Sequence, residues 1–135
     1  MNVEPKKSPI PPAEGKLLVL TPGLGAVATT FIAGVEAVRR GLALPVGSVT
    51  QLQTIRLGRR SEGRNPLIRD VLPLAVLPDL EFAAWDVFPD DAFEAASRAD
   101  VLSHKHLEAL RAFLSTVRPM PAAFDRNYVR RLDGA

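Results

Sequence analysis

The turn Gly23-Leu-Gly25-Ala-Val-Ala28 stands between a short apolar run and a stretch with helical spacing, an order that few folds accommodate. Ahead of it, Lys16-Leu-Leu-Val-Leu20 is apolar from Leu17 onward, the pattern of a strand covered on both faces in a parallel sheet. Behind it, Val27, Phe31, Val35 and Val38 recur at spacings of four, four and three, which predicts one face of a helix over Ala26 to Arg40, closed by Gly41. Strand, glycine turn and helix open a βαβ unit. The next apolar stretch, Leu44 to Val49, is interrupted by Pro45 and Gly47, so a second strand is expected only from about Val46.

Leu80 to Val87 reads as a third parallel strand, entered from Pro78-Asp79 and closed by Pro89. Asp90 is placed to cap a short helix through about Ala99. Ser103 is placed to cap a longer one with Leu107, Leu110, Leu114 and Val117 on one face, stopped by Pro119 and Pro121. Residues 1–15 contain Pro5, Pro9, Pro11 and Pro12 with few apolar anchors, and are expected to form a flexible Pro-rich arm. Residues 16–135 are expected to be the amino-terminal portion of a dinucleotide-binding domain. The predicted class is therefore α/β, a partial Rossmann-like fold with a parallel sheet flanked by helices. The last fourteen residues hold no recognisable terminating element, so the chain reads as cut off.

Composition narrows the partners. Seventeen Lys+Arg against fifteen Asp+Glu leave +2, too little for association driven by bulk charge. The absence of Cys removes disulfides, thiolate zinc sites and Cys nucleophiles, and makes the cytoplasm the default location. No apolar run reaches the ~18 residues of a membrane span, so no membrane partner is expected.

The chemistry concentrates at the turn. Gly23 permits a tight bend, Gly25 removes a Cβ from the path of a diphosphate, and the small Ala28 allows the helix to approach the strand. An anion would rest on the free amides at the helix start, with Thr29 and Thr30 as further hydroxyl donors. A tight turn without a ligand is the alternative. Dinucleotide folds usually carry an acid about 20 residues after the glycines to hold the adenosine ribose, yet Ala37 to Ser61 contains neither Asp nor Glu. Asp86, at the end of the third strand, is the substitute. A core-edge Trp85 followed by an Asp that caps the next turn explains the same residues.

Arg56, Arg59, Arg60 and Arg64 could grip a 2′-phosphate and favour NADP, although a solvated loop accounts for them more simply. With Arg126, Arg130 and Arg131 they lack a binding motif, so no nucleic acid is expected. His104 and His106 stand two apart and cannot share a helix face as metal ligands do, and no metal site is predicted. Asp90-Asp91 reads as helix-start chemistry, not as an acid–base dyad.

Pro22-Gly-Leu-Gly-Ala-Val-Ala-Thr-Thr30, Thr50-Gln-Leu-Gln-Thr-Ile-Arg-Leu-Gly58, Arg64-Asn-Pro-Leu67 and Trp85-Asp86-Val-Phe88 together resemble the amino-terminal part of bacterial myo-inositol-phosphate synthases, from about Lys16 to Leu132. The resemblance implies an isomerase that uses tightly held NAD to convert glucose 6-phosphate into inositol phosphate, by oxidation at C5 of the opened sugar, aldol closure and return of the hydride. It also implies a homo-oligomeric complete enzyme. Carried over by position, it assigns cofactor contacts to Gly23, Leu24, Gly25, Ala26, Val27 and Ala28, and the adenosine-side contact to Asp86. The chain departs from many members in having Ala26-Val27-Ala28 where they have a Gly-Asn-Asn-Gly-like fingerprint, and Ala83-Ala84 where they have Gly-Gly. The family's catalytic lysines and sugar-phosphate site lie in a carboxyl-terminal region without counterpart here, so no catalytic residue is assigned and cofactor binding without turnover is expected. Two other readings are the dinucleotide half of an NAD(P)-dependent oxidoreductase and a non-enzymatic interaction module.

Overall fold

The computed structural model describes residues 14–122. Three strands form one parallel sheet: β1 (Leu17–Pro22), β2 (Leu80–Asp86) and β3 (Met120–Pro121), in the order β1-β2-β3. Between them run α1 (Ala26–Arg39), the single turns α2 (Val49–Leu52) and α3 (Ile68–Val71), then α4 (Ala92–Ala99) and α5 (His104–Leu114). The expected α/β class with a parallel sheet flanked by helices is what the chain adopts. Apart from 14 and 15, the Pro-rich arm expected over 1–15 lies outside the described residues.

The strands are not quite those the sequence suggests. No strand forms over Leu44–Val49. The Val46 amide donates to the Leu44 carbonyl at 2.7 Å, Ser48 donates to Pro45 at 3.0 Å, and Gly47 takes a φ of 86°. This tight local turning leaves no extended ladder, and Leu44 and Val46 are exposed. β1 therefore pairs directly with β2, from Leu17↔Leu80 to Pro22↔Trp85. The third strand comes from Met120–Pro121, which pairs with Trp85 and Asp86 of β2. Pro121 is tolerated because among the described residues β3 is the edge strand, so that one side of its backbone needs no ladder donor.

The core lies on one face of the sheet. Ala84 of β2, Leu24 of the turn, Ile32 and Ala33 of α1, Ala92 and Ala96 of α4, and Leu107, Leu110 and Leu114 of α5 form a single buried cluster with Val117. The α5 face is the one the sequence predicts, and Ser103 caps that helix by accepting the His106 amide. For α4 the cap is Asp91, one residue later than expected. Its carboxylate accepts the Phe93 and Glu94 amides, and Glu94 answers with a bond from the Asp91 amide, completing a capping box.

Helix α1 is rotated about its axis from the face its valines predict, so that Val35 is buried as expected and Val38 half-buried. Thr29, Ile32, Ala33 and Glu36 are buried with Val35, while Val27 and Phe31 face outward. The spacing of 29, 32, 33 and 36 is as helical as that of the valines. The core takes the small Ala33 opposite α4 and α5, and it takes Glu36 because Arg39 and Arg40 pair with its carboxylate at 3.3 and 2.7 Å. β1 departs from expectation in the same way. Residues paired across a ladder share a face, so Leu18, Leu20 and Pro22 lie with Glu81, Ala83 and Trp85 on the side away from the helices. Among the described residues nothing covers that side, and Leu18, Leu20 and Trp85 are exposed.

Candidate cofactor site

The carboxyl ends of β1 and β2 lie side by side, and the turn that leaves β1 is bound to β2 twice. The Gly23 amide donates to the Trp85 carbonyl at 2.7 Å, continuing the ladder one residue past the strand. The Leu24 amide donates to Asp86 Oδ2 at 2.6 Å. Gly23 adopts a φ of 111°, which a side chain rarely tolerates, so glycine is required there by the backbone. Gly25 differs. With φ −81° and ψ −165° it is an ordinary extended N-cap, and a Cβ on it would meet no atom within 4 Å. Its lack of a side chain keeps space open and relieves no strain.

Among the described residues no side chain caps α1, and no acid occupies its first turn. The amides of Ala26, Val27 and Ala28 have no partner among the described residues. Thr29, which the sequence offers as a hydroxyl donor to a ligand, is buried. Its hydroxyl back-bonds to the carbonyls of Gly25 at 3.0 Å and Ala26 at 3.3 Å, so it fixes the turn from behind. Ala28 packs partly buried against the core, as a small residue at the helix–strand contact should.

Two hollows flank this turn, and Gly25 and Ala26 line both. One, of about 400 Å³, is walled by Leu24, Asp86, Phe88, Asp90 and the α4 residues Ala95, Arg98 and Ala99. The other, of about 480 Å³, is walled by Thr21, Pro22, Gly23, Val27, Ala28 and Phe31. The turn is thus a ridge of open main-chain donors between two largely apolar depressions.

Asp86 occupies the place expected of it, at the end of β2 and in the wall of the first hollow. Its Oδ1 accepts the Phe88 amide at 3.0 Å, the turn-capping role, and Oδ2 holds the glycine turn. Burial pushes the Asp86 carboxyl up, but hydrogen bonds from the Leu24, Phe88 and Val87 amides outweigh it and hold the group below its ordinary value. The carboxylate is therefore ionised at neutral pH. These amides leave at least one of its roughly four lone-pair positions open to a hydroxyl donor.

The loop arginines are not part of this wall. Arg56, Arg59, Arg60 and Arg64 lie on an excursion closed by the antiparallel bridge Thr54↔Leu67 and by the Leu57 amide bonding to Arg64 O at 2.9 Å. The cation that does line the hollow is Arg98, paired to Asp90 at 2.5 Å. Sequence reasoning passed over both in this role, because only the packing of α4 beside the turn brings them there. Their eight-residue separation does not announce it. His104 and His106 are exposed and turn to Glu108 and Ser103 respectively. Among the described residues no cluster of metal-ligating side chains occurs.

Residues 17–135 match the family model of an NAD-binding domain described as myo-inositol-1-phosphate synthase. Over 129 residues the chain is 51% identical to inositol-3-phosphate synthase 1 of Bacteroides thetaiotaomicron, covering 95% of this chain and 29% of that protein. It is 29% identical over 127 residues to the inositol-3-phosphate synthase of Saccharomyces cerevisiae, covering 84% of this chain and 24% of that one. The crystal structure of inositol-3-phosphate synthase from Caenorhabditis elegans superposes with a TM-score of 0.69 at 25% identity, over 86% of this chain and 25% of that chain. The chain thus spans less than a third of the length of these relatives.

Proposed function

The chain belongs to the myo-inositol-1-phosphate synthase family, and on that premise we propose that residues 16–135 are the amino-terminal portion of its NAD-binding domain. The ridge between the two hollows carries the proposal. A dinucleotide needs a charged centre held by main-chain donors and a pocket on each side, and Gly25 and Ala26 face both hollows. The donor set fits a diphosphate: unpartnered amides at a helix start, no acid in the first turn, and no atom within 4 Å of the Cβ positions of Gly23 and Gly25. Gly23, Leu24, Gly25, Ala26, Val27 and Ala28 would hold the diphosphate, with Gly23 and Leu24 shaping the turn, since their amides are already engaged. Asp86 would accept the adenosine ribose hydroxyls through its remaining lone pairs.

Bound NAD supplies a hydride acceptor that can later give the hydride back, which suits an isomerase without net redox change. This chain's residues bind and orient it. The complete enzyme would be a cytoplasmic homo-oligomer acting on glucose 6-phosphate, with the sugar handled by the part of the family's length that this chain does not span. By itself the chain would bind NAD without turnover. An oxidoreductase shares the glycine turn, but the family match favours the isomerase.

Calorimetry with NAD tests the reading, using wild type and Gly25→Val. Gly25 has an unstrained backbone and open space around it, so the variant should fold as wild type does while losing affinity at least tenfold. Wild-type protein that gives no heat with NAD, or a Gly25→Val protein that binds as well as wild type, would overturn it.

A further inference from the structure

We propose that the Asp90–Arg98 ion pair makes the first hollow selective for a nucleotide whose adenosine ribose carries a free 2′-hydroxyl, and so sets the choice of NAD over NADP. The inference rests on the cofactor reading above and deepens it. Among the described residues three charged side chains line that hollow: Asp86, Asp90 and Arg98. Asp86 is fixed by the Leu24 and Phe88 amides at 2.6 and 3.0 Å, so its negative charge cannot swing away from a ribose placed beside it. A 2′-phosphate would add up to two more negative charges at the same place, and of the three lining groups only Arg98 could offset them.

The charge of Arg98 is already matched by an acid. Its Nη1 lies 2.5 Å from Asp90 Oδ2, with the Arg98 side chain 67% exposed and that of Asp90 only 20% exposed. Asp90 is thus the more enclosed partner, beside the capping box that anchors α4, and Arg98 is the flexible one drawn onto it. To meet a 2′-phosphate, Arg98 would have to leave Asp90, exposing the phosphate to a second unpaired carboxylate in the same wall. A neutral ribose makes no such demand and leaves the pair intact. The selectivity comes from withholding a cation as well as from the acid at the end of β2.

The test is calorimetry of the 135-residue chain with NAD and with NADP, for wild type, Asp90→Asn, Arg98→Gln and the double variant. Asp90→Asn should raise NADP affinity relative to NAD about two- to fivefold, the scale of a partly exposed ion pair. Arg98→Gln should lower it, and the double variant should lose the gain of Asp90→Asn. Wild type that binds NAD, with an NADP-to-NAD ratio unmoved by either single change, would overturn the inference and leave the cofactor reading standing. Wild type that binds neither nucleotide would overturn both. If circular dichroism shows Asp90→Asn to be unfolded, Arg98→Gln decides: a lower relative NADP affinity supports the pair's role, and an unchanged one refutes it.

Discussion

Asp86 Oδ2 accepts the amide of Leu24 at 2.6 Å across 62 residues of sequence, tying the end of the central strand to the glycine turn. Leu24 is buried, so its amide has no ready replacement in water. One carboxylate therefore holds the shape of the turn and stands in the wall of the hollow beside it.

Removing that carboxylate should cost stability as well as affinity. In Asp86→Ala the Leu24 and Phe88 amides lose their acceptor, with an expected penalty of about 1–3 kcal/mol. Asp86→Asn keeps one acceptor oxygen and should lose roughly half as much. Urea denaturation of the two variants beside wild type measures the difference, and equal losses would mean that the charge matters and the geometry does not.

The same group should make folding acid-sensitive. Folding lowers the Asp86 pKa below its ordinary 3.8, because the amide bonds outweigh burial, so the folded chain binds this proton less readily than the unfolded one. Its contribution is complete above the unfolded value and drains away as pH falls through the lower folded value. Stability measured from neutral pH into this acid range should therefore fall more steeply for wild type than for Asp86→Asn. Parallel curves would refute the assignment.

The two glycines of the turn should respond differently to alanine. Gly23→Ala forces a side chain onto a φ of 111° and should destabilise by on the order of 1 kcal/mol or more. Gly25→Ala meets neither strain nor a neighbour within 4 Å and should change the melting temperature little. Thermal melts of both variants decide it.

Arg39 should prove to be a structural residue whose loss is expensive. Its guanidinium donates to the Leu77 carbonyl at 2.8 and 2.6 Å, to the Leu80 carbonyl, and to Glu36 at 3.3 Å, joining the end of α1 to the start of β2. Arg39→Met keeps an unbranched apolar side chain but removes the guanidinium from over Phe82 and strands those acceptors, and should cost on the order of 3 kcal/mol. Arg39→Lys, lacking the planar fork, should recover only part of it. Chemical denaturation gives both values.

In the core, Leu114 is fully buried at the carboxyl end of the α5 face. Leu114→Ala should cost about 2–5 kcal/mol. A loss below 1 kcal/mol, read from urea midpoints, would mean that α5 does not close the core as described.

Local chemistry determined a good deal in advance. The run Leu17–Leu20, the glycines after it and the helix that follows are read from neighbours within a few residues, as are the caps at Ser103 and the apolar face of α5. The family is legible for the same reason, since its motifs are short and contiguous, and the match over residues 17–135 agrees with them. Tertiary structure decided what periodicity could not. α1 offers two helical stripes, and only the arrival of α4 and α5 selects Thr29, Ile32, Ala33 and Glu36 beside Val35, and leaves Val27 and Phe31 outside. Leu44–Val49 is apolar enough for a strand, but Pro45 and the positive φ of Gly47 turn it back on itself, and β2 takes the place beside β1. Asp86 meets Leu24, and Arg98 meets the hollow, because strand pairing and helix packing bring distant residues together. Spacing along a chain reports which side chains share a face, whereas contact between faces depends on free energies summed over the whole fold.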